Sequence, residues 1–332
     1  MFEMNARKMD KRIQSRLSLS EFAAVTVALL LSLAFLWVYR SNAFVDFQVY
    51  MRAGKGLFTG YFYAYWILPV FSLMTRLPFD ATVMMWNLLG IACVWMACRV
   101  FGVKLLPVMV GYQALTYIFY GQITGLLIGG LALSWWAMAH KRWDLAGLGF
   151  VIACTKYQFG LAYAVTLWLA APITLKEKMR ILVVPVLTVL ATLALYPHWI
   201  PDAIARFHSE MPESGGSISL WRWVGAWSLL LFVPVLFVKD TQKKLLLLML
   251  AMTLAIPYFQ QDDLTALFLF LPFGFALIGN IGILYVWFGN TALQVLAIIP
   301  LLAYALTMVQ YIREVKYANW TQTVYGRGAL TK

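Results

Sequence analysis

From residue 21 onward the chain alternates between long apolar runs and short polar connectors. The first run covers 21–39 (EFAAVTVALLLSLAFLWVY). Others fall near 82–98, 105–120, 123–139, 145–155, 159–175, 181–197, 223–238, 245–258, 264–279 and 291–311. A membrane-spanning helix needs about 20 apolar residues. The pattern predicts an all-α, polytopic transmembrane protein of about 10–12 spans. Several runs are short, notably 145–155, and short or broken helices inside a membrane are packed within protein or line a cavity. Two connectors are long, 40–80 and 196–222. The first contains GLFTGYFYAYWILPVFSLM and predicts short amphipathic helices resting on the membrane. The expected organisation is a basic segment 1–20, one transmembrane domain over 21–312 and a tail 313–332. Neither an inverted repeat nor a low-complexity segment is evident.

Composition agrees with this pattern. Hydrophobic residues make up 62% of 332 residues, charged residues 12%, and mean hydropathy is +0.76. Soluble domains are nearer 45–50% apolar and about 25% charged, so the excess apolar surface must face lipid. The run 21–39 is long for a signal peptide and no small-residue cleavage site follows it, so it reads as a retained span.

The net charge is +12. In a soluble chain that would point to nucleic acid, but here the basic residues lie in interhelical connectors and no nucleic-acid partner is expected. With a cytoplasmic N-terminus, fifteen Lys and Arg fall on inner segments and seven on outer ones, in line with the positive-inside rule. Both long connectors then lie outside, most simply at a plasma (inner) membrane. Cys93, Cys98 and Cys154 sit in apolar runs, and their odd number and spacing fit neither a disulfide framework nor a zinc site.

Few residues are placed for chemistry. Asp46 follows the outer end of the first span, within reach of water and lipid headgroups; a solvated loop acid or a helix cap is the plainer reading. Lys156 lies in GFVIACTKYQFGLAYAV, where an ionisable group is costly and a functional candidate by default. Its point charge suits a phosphate oxygen, and the alternative is a lysine snorkelling to the interface. Gln122 lies in a turn between two spans where Gly121 permits a tight bend, and its amide suits a sugar hydroxyl or a simple polar turn. Asp262 and Asp263 follow Gln260 and Gln261 after the helix-breaking Pro257. Adjacent acids on a helix point to different faces, so at most one of the two is expected to face a site. His198, His208, Glu210 and Glu213 make the second outer connector polar, without convincing metal spacing. P-loop, dinucleotide, HExxH and GxSxG motifs are absent.

Taken in order, these segments resemble glycosyltransferase family 87, membrane enzymes of the GT-C superfamily that include polyprenyl-phosphate-mannose-dependent mannosyltransferases. The segments are DFQVYMRAGKGLFTGYFYAYWILPVFSLM, YGQITGLLIGGLAL, GLGFVIACTKYQFGLAYAV and AIPYFQQDDLTALFLFLP, over roughly 40–275. The family's Gly-Gln-x-Asn reads Gly121-Gln122-Ile123-Thr124 here, and its Lys-Pro reads Lys156-Tyr157. The resemblance implies transfer of a mannose-like sugar from a polyprenyl-phosphate donor to a lipid or glycan acceptor at the outer face, by inverting single displacement. Asp46 would be the catalytic base. Lys156, with Arg52 and Arg206 as alternatives, would bind the donor phosphate. Gln122, Tyr50, Gln261, Asp262, Asp263 and His198 would contact sugar or acceptor. No cofactor is required, and a divalent cation has no evident ligand set. The competing expectations are a transporter or flippase of a lipid or polar solute, and a noncatalytic membrane scaffold.

Overall fold

A computed structural model describes residues 5–39, 43–210, 217–257, 259–284, 288–289 and 294–326, with backbone alone at 207–210 and 317–326. The protein is an all-α integral membrane protein; among the described residues there is no strand. Among the described residues five helical stretches are long and apolar enough to cross a bilayer, and a bent pair makes a sixth. The other apolar runs form shorter helices, so unbroken spans are fewer than the 10–12 expected. Turn-forming residues cut the runs into pieces.

The N-terminal helix α1 (Ala6–Gln14) and the first span α2 (Leu19–Val38) are separated by Ser18, which with Glu21 forms a reciprocal capping box. After α2 come two short helices of the first connector, α3 (Val45–Gly54) and α4 (Leu68–Met74). The second span, α5 (Phe79–Phe101), stops at Gly102, whose φ of +74° is a left-handed cap. Its end returns to α1. There Arg99, 5% exposed, bonds Glu21 at 2.8 Å and donates to the carbonyls of Arg12, Ile13, Ser15 and Arg16. This end of the molecule is called the α1 end below.

The helices α6 (Leu105–Met109) and α7 (Tyr112–Tyr120) lead away from the α1 end, and α8 (Thr124–Ala139) leads back. α7 and α8 meet at 111° across Gly121. The turn needs glycine twice over. Its φ is +67°, and a Cβ there would lie 2.8 Å from the Phe47 side chain.

Next, α9 (Trp143–Ala153) and α10 (Tyr157–Ala170) are joined by the tight turn Cys154–Lys156. By length and composition the stretch 143–170 passes for a single span. Its contacts make it a hairpin. Asp144, at the start of α9, pairs with Arg180, while Trp168, at the end of α10, donates to the Lys178 carbonyl. Both ends therefore lie beside the first turns of α11 (Leu175–Leu195). A straight 28-residue helix would hold them more than 35 Å apart, at about 1.5 Å per residue. Lys156, with ψ of +77°, breaks the helix at the tip. Glycines let the arms approach: a Cβ on Gly160 would lie 2.1 Å from the Ala153 carbonyl oxygen.

α12 (Trp199–Glu210), α13 (Trp221–Val224) and α14 (Phe232–Phe237) precede α15 (Thr241–Ala255), which packs along α10 through a Tyr163–Thr253 hydroxyl pair at 2.9 Å. The chain then passes through the turn Gln261–Asp263 into α16 (Leu264–Leu267) and α17 (Phe273–Gly279), and ends on α18 (Ile298–Gly326). Glu314 of α18 pairs with Lys243 at the start of α15. This brings the described end of the chain to the same side as α1. A main core fills the bundle, and a second, aromatic core at the opposite end gathers α3, α4, Tyr61–Tyr65 and Trp199.

Candidate functional site

The polar residues converge where the turns of α7–α8, α9–α10 and Gln261–Asp263 meet beneath α3. Each turn exists because its sequence cannot continue a helix: Gly121 in the first, the non-helical Lys156 in the second, and in the third Pro257, which directly follows Ile256, the last N–H donor of the α15 ladder.

Asp46 lies in the first turn of α3, where the helix N-terminus favours negative charge. The residue before that helix, Phe44, has φ of +60° and donates its N–H to the Phe119 carbonyl at 2.7 Å, tying α3 to the end of α7. Gln122 Nε2 donates to Asp46 Oδ2 at 2.6 Å. Tyr50 Oη donates to Gln122 Oε1 at 3.4 Å and accepts the Ile123 N–H at 3.2 Å. The carboxylate is half-buried. Burial, with repulsion from Asp262 second, raises its pKa to about 7 against the opposing pull of Lys156 and Gln122.

Below Asp46, Lys156 and its partners are sealed from solvent. Lys156 is 1% exposed and Asp263 is wholly buried. Lys156 Nζ donates to Asp263 Oδ1 at 2.5 Å and to Asp262 Oδ2 at 3.3 Å. Thr124 Oγ1 lies 2.9 Å from Asp262 Oδ2 and 3.2 Å from Asp263 Oδ1. The Gln260 N–H closes the network on Asp263 Oδ2 at 3.1 Å. Two sequence expectations change here. Both acids face the site, because Gln261–Asp263 is a tight 3-10 turn whose side chains converge on one ammonium. Lys156 does not snorkel, and its charge is matched by two carboxylates, which leaves it poorly suited to hold a phosphate.

Gln261 is buried beside these acids, and its Oε1 has no hydrogen-bond partner among the described residues. Arg52 and His198 are not brought to the cluster. Arg52 is exposed on α3 and, among the described residues, supplies only its carbonyl, to the Lys55 and Leu57 N–H groups. His198 is exposed before α12 and supplies its carbonyl to the Asp202 N–H. The side chains of His208 and Glu210, and the whole of Glu213, lie outside the described residues. Among the described residues no three His, Cys, Asp or Glu side chains gather as metal ligands.

Arg206 occupies a different setting. Its guanidinium donates to Tyr65 Oη at 2.5 Å and lies over the Phe58 and Tyr65 rings at 5.7 and 5.6 Å. Among the described residues no carboxylate pairs with it, and its buried Nε has no acceptor. Neighbouring tyrosines form a wall from Arg206 to Asp46: Tyr65 to Tyr61 at 6.0 Å, Tyr61 to Tyr63 at 5.5 Å, Tyr63 to Tyr50 at 5.0 Å between ring centres. Beside Arg206 runs an apolar groove of about 590 Å³, between the α9–α10 tip, α11 and α12, lined by Trp66, Cys154, Tyr157, Val189, Trp199 and Ala203 among others.

Sequence reasoning did not single out Thr124 or Tyr63. Thr124 had one signal, as the polar residue standing where the resembled family carries Asn. Tyr63 had none, being one of several tyrosines in an aromatic stretch. The chain matches no protein-family model, no curated protein and no solved structure.

Proposed function

We propose that this protein is a membrane glycosyltransferase that moves a mannose-like sugar from a polyprenyl-phosphate donor to a lipid or glycan hydroxyl. The active site would face the outside of a plasma (inner) membrane. The observation that carries this reading is Asp46. It is a half-buried carboxylate oriented by Gln122, with a pKa raised to about 7. A group so poised accepts a proton near neutral pH without being spent as a permanent anion. As base it would take the proton of an acceptor hydroxyl while that oxygen attacks the anomeric carbon. The bond to the donor phosphate would break, and the phosphate would leave with the electron pair.

Supporting features lie around it. The apolar groove offers a dry surface for a polyprenyl chain, and Arg206 beside it offers the phosphate a guanidinium that no carboxylate among the described residues pairs with. Arg206 therefore replaces Lys156 as the phosphate-binding residue. Tyr50, Gln122 and Tyr63 supply hydroxyl and amide groups of the kind that hold sugars. Lys156, Asp262, Asp263 and Thr124 act as the floor that sets the field under Asp46.

A transporter is the second reading, favoured by one observation. Lys156, Asp262 and Asp263 form a charged cluster at the depth of the apolar helices, as ion and proton pathways do. Transfer of radiolabelled sugar from polyprenyl-phosphate donors, in membranes holding the protein or Asp46→Asn at matched level, separates the two. Transfer lost in the variant supports the enzyme. Absence of transfer with every donor, together with solute uptake by vesicles that contain the protein, supports the transporter.

A further inference from the structure

A second groove lies at the α1 end, between α1, α5 and α8, far from Asp46. It measures about 480 Å³. Its body is apolar: Ala92, Cys93 and Met96 on one side, Gly129, Ala132 and Leu133 on the other. Its floor is set by Gly129, where a Cβ would lie 2.5 Å from Cys93 Sγ. Along α5 it runs from Val100 to Ala92, about 12 Å at 1.5 Å per residue. That places most of it within the apolar thickness of two spans, open to lipid and closed to a water-soluble partner.

The end of the groove is of opposite character. Arg12 donates to the carbonyl of Val100, a lining residue, at 3.2 Å. Arg142, exposed, sets its guanidinium over the ring of Trp136, another lining residue, at 5.4 Å. Arg7 and Lys11 are exposed on the adjoining face of α1. Among the described residues that line the groove the one acid is Asp10, and it is already engaged by His140 Nε2 at 2.9 Å and by Trp136 Nε1 at 3.2 Å. Arg99, close by, is consumed by Glu21 and the carbonyls of Arg12, Ile13, Ser15 and Arg16. The net field at the groove mouth is positive, over an apolar slot.

We propose that this groove binds one anionic phospholipid of the surrounding bilayer, its acyl chain between α5 and α8 and its headgroup phosphate between Arg12 and Arg142. A guanidinium has several donors in a fixed fork, so Arg12 keeps donors for a phosphate while it holds Val100. The bound lipid would brace α1 against the bundle. This site is independent of the proposed sugar transfer.

The test uses the full chain in mild detergent, with phosphatidylglycerol and phosphatidylcholine added at equal concentration and retained lipid read by native mass spectrometry. Phosphatidylglycerol should be held as a single adduct, in preference to phosphatidylcholine. Arg142→Gln should lower that preference about fivefold, from the energy of one basic group at a membrane surface. Ala92→Trp, a change at an exposed lining position, should fill the slot and lower retention of both lipids. Lys176→Gln, on exposed α11, should change neither. Equal retention of the two lipids by the parent chain overturns the proposal. So does a preference untouched by both Arg142→Gln and Arg12→Gln, or retention unchanged by Ala92→Trp.

Discussion

Asp46 and Lys156 are both ionisable residues in apolar surroundings, yet they have opposite fates. Asp46 remains half-open and unpaired by any cation at bonding distance among the described residues, whereas Lys156 is sealed between two acids. If Asp46 is the base, Asp46→Asn should lower sugar transfer by about 10²–10⁴-fold in a radiolabel assay. The base works only when ionised, so the rate should fall tenfold per pH unit below about 7 and level off above it. Asp262→Asn removes a negative neighbour, so the same limb should move to lower pH. Lys156→Ala acts on stability instead. It leaves two buried carboxylates without a counter-ion, a loss of about 3–5 kcal/mol, read as a lower thermal midpoint in detergent. Lys156→Met combined with Asp262→Asn and Asp263→Asn should recover most of it, because no charge is then buried. The sequence made Lys156 conspicuous by its apolar flanks. It did not reveal its partners, which lie 106 and 107 residues away. Pairings of that range arise from how helices pack, and local composition carries no trace of them.

Among the elements, the α9–α10 hairpin is the one whose type the sequence leaves most open. Two apolar runs, 145–155 and 159–175, flank Lys156, so the interruption itself is legible. The reversal of direction is not, because a kinked span and a hairpin share the same hydropathy. Small residues permit the close approach it needs, with Gly160 against the Ala153 carbonyl across the turn, and the same device seats α9 on α8. On α8 and α9, Gly130 and Gly149 face one another: a Cβ on Gly130 would lie 2.5 Å from the Ala153 nitrogen, and one on Gly149 2.6 Å from the Gly130 carbonyl oxygen. Such close backbone contact is how helices pack inside lipid, where hydrophobicity supplies no drive between them. Gly130→Val should therefore push the helices apart at a cost of about 1–3 kcal/mol, measured as loss of monodisperse protein after mild heating. Elements capped by strong local signals are better read from sequence. The boxes Ser18–Glu21 and Thr174–Glu177 mark the starts of α2 and α11; the first helix begins two residues before its apolar run, the second six, because its first turn is the charged stretch Lys176–Arg180.

For the molecule as a whole, class and membrane residence were legible because they depend on totals, the apolar fraction and the length of the runs. Assembly was not. The α1 end is held by Arg99, a single buried guanidinium that satisfies the chain from Arg12 to Arg16 and the acid of Glu21. Arg99→Gln should free α1, and brief trypsin treatment should then cut within residues 7–16 faster than in the parent protein. The opposite end is closed by the charged floor, and that closure fixes an order of events during synthesis. Lys156 leaves the ribosome 106 and 107 residues ahead of its two counter-ions. At about 5–20 residues per second, the hairpin tip waits roughly 5–20 s before Asp262 and Asp263 arrive. During that interval an ammonium without its acids sits at the top of two helices each too short to span. The insertion machinery must therefore shelter this hairpin, or leave it at the interface, until the segment after α15 is delivered and draws it into place.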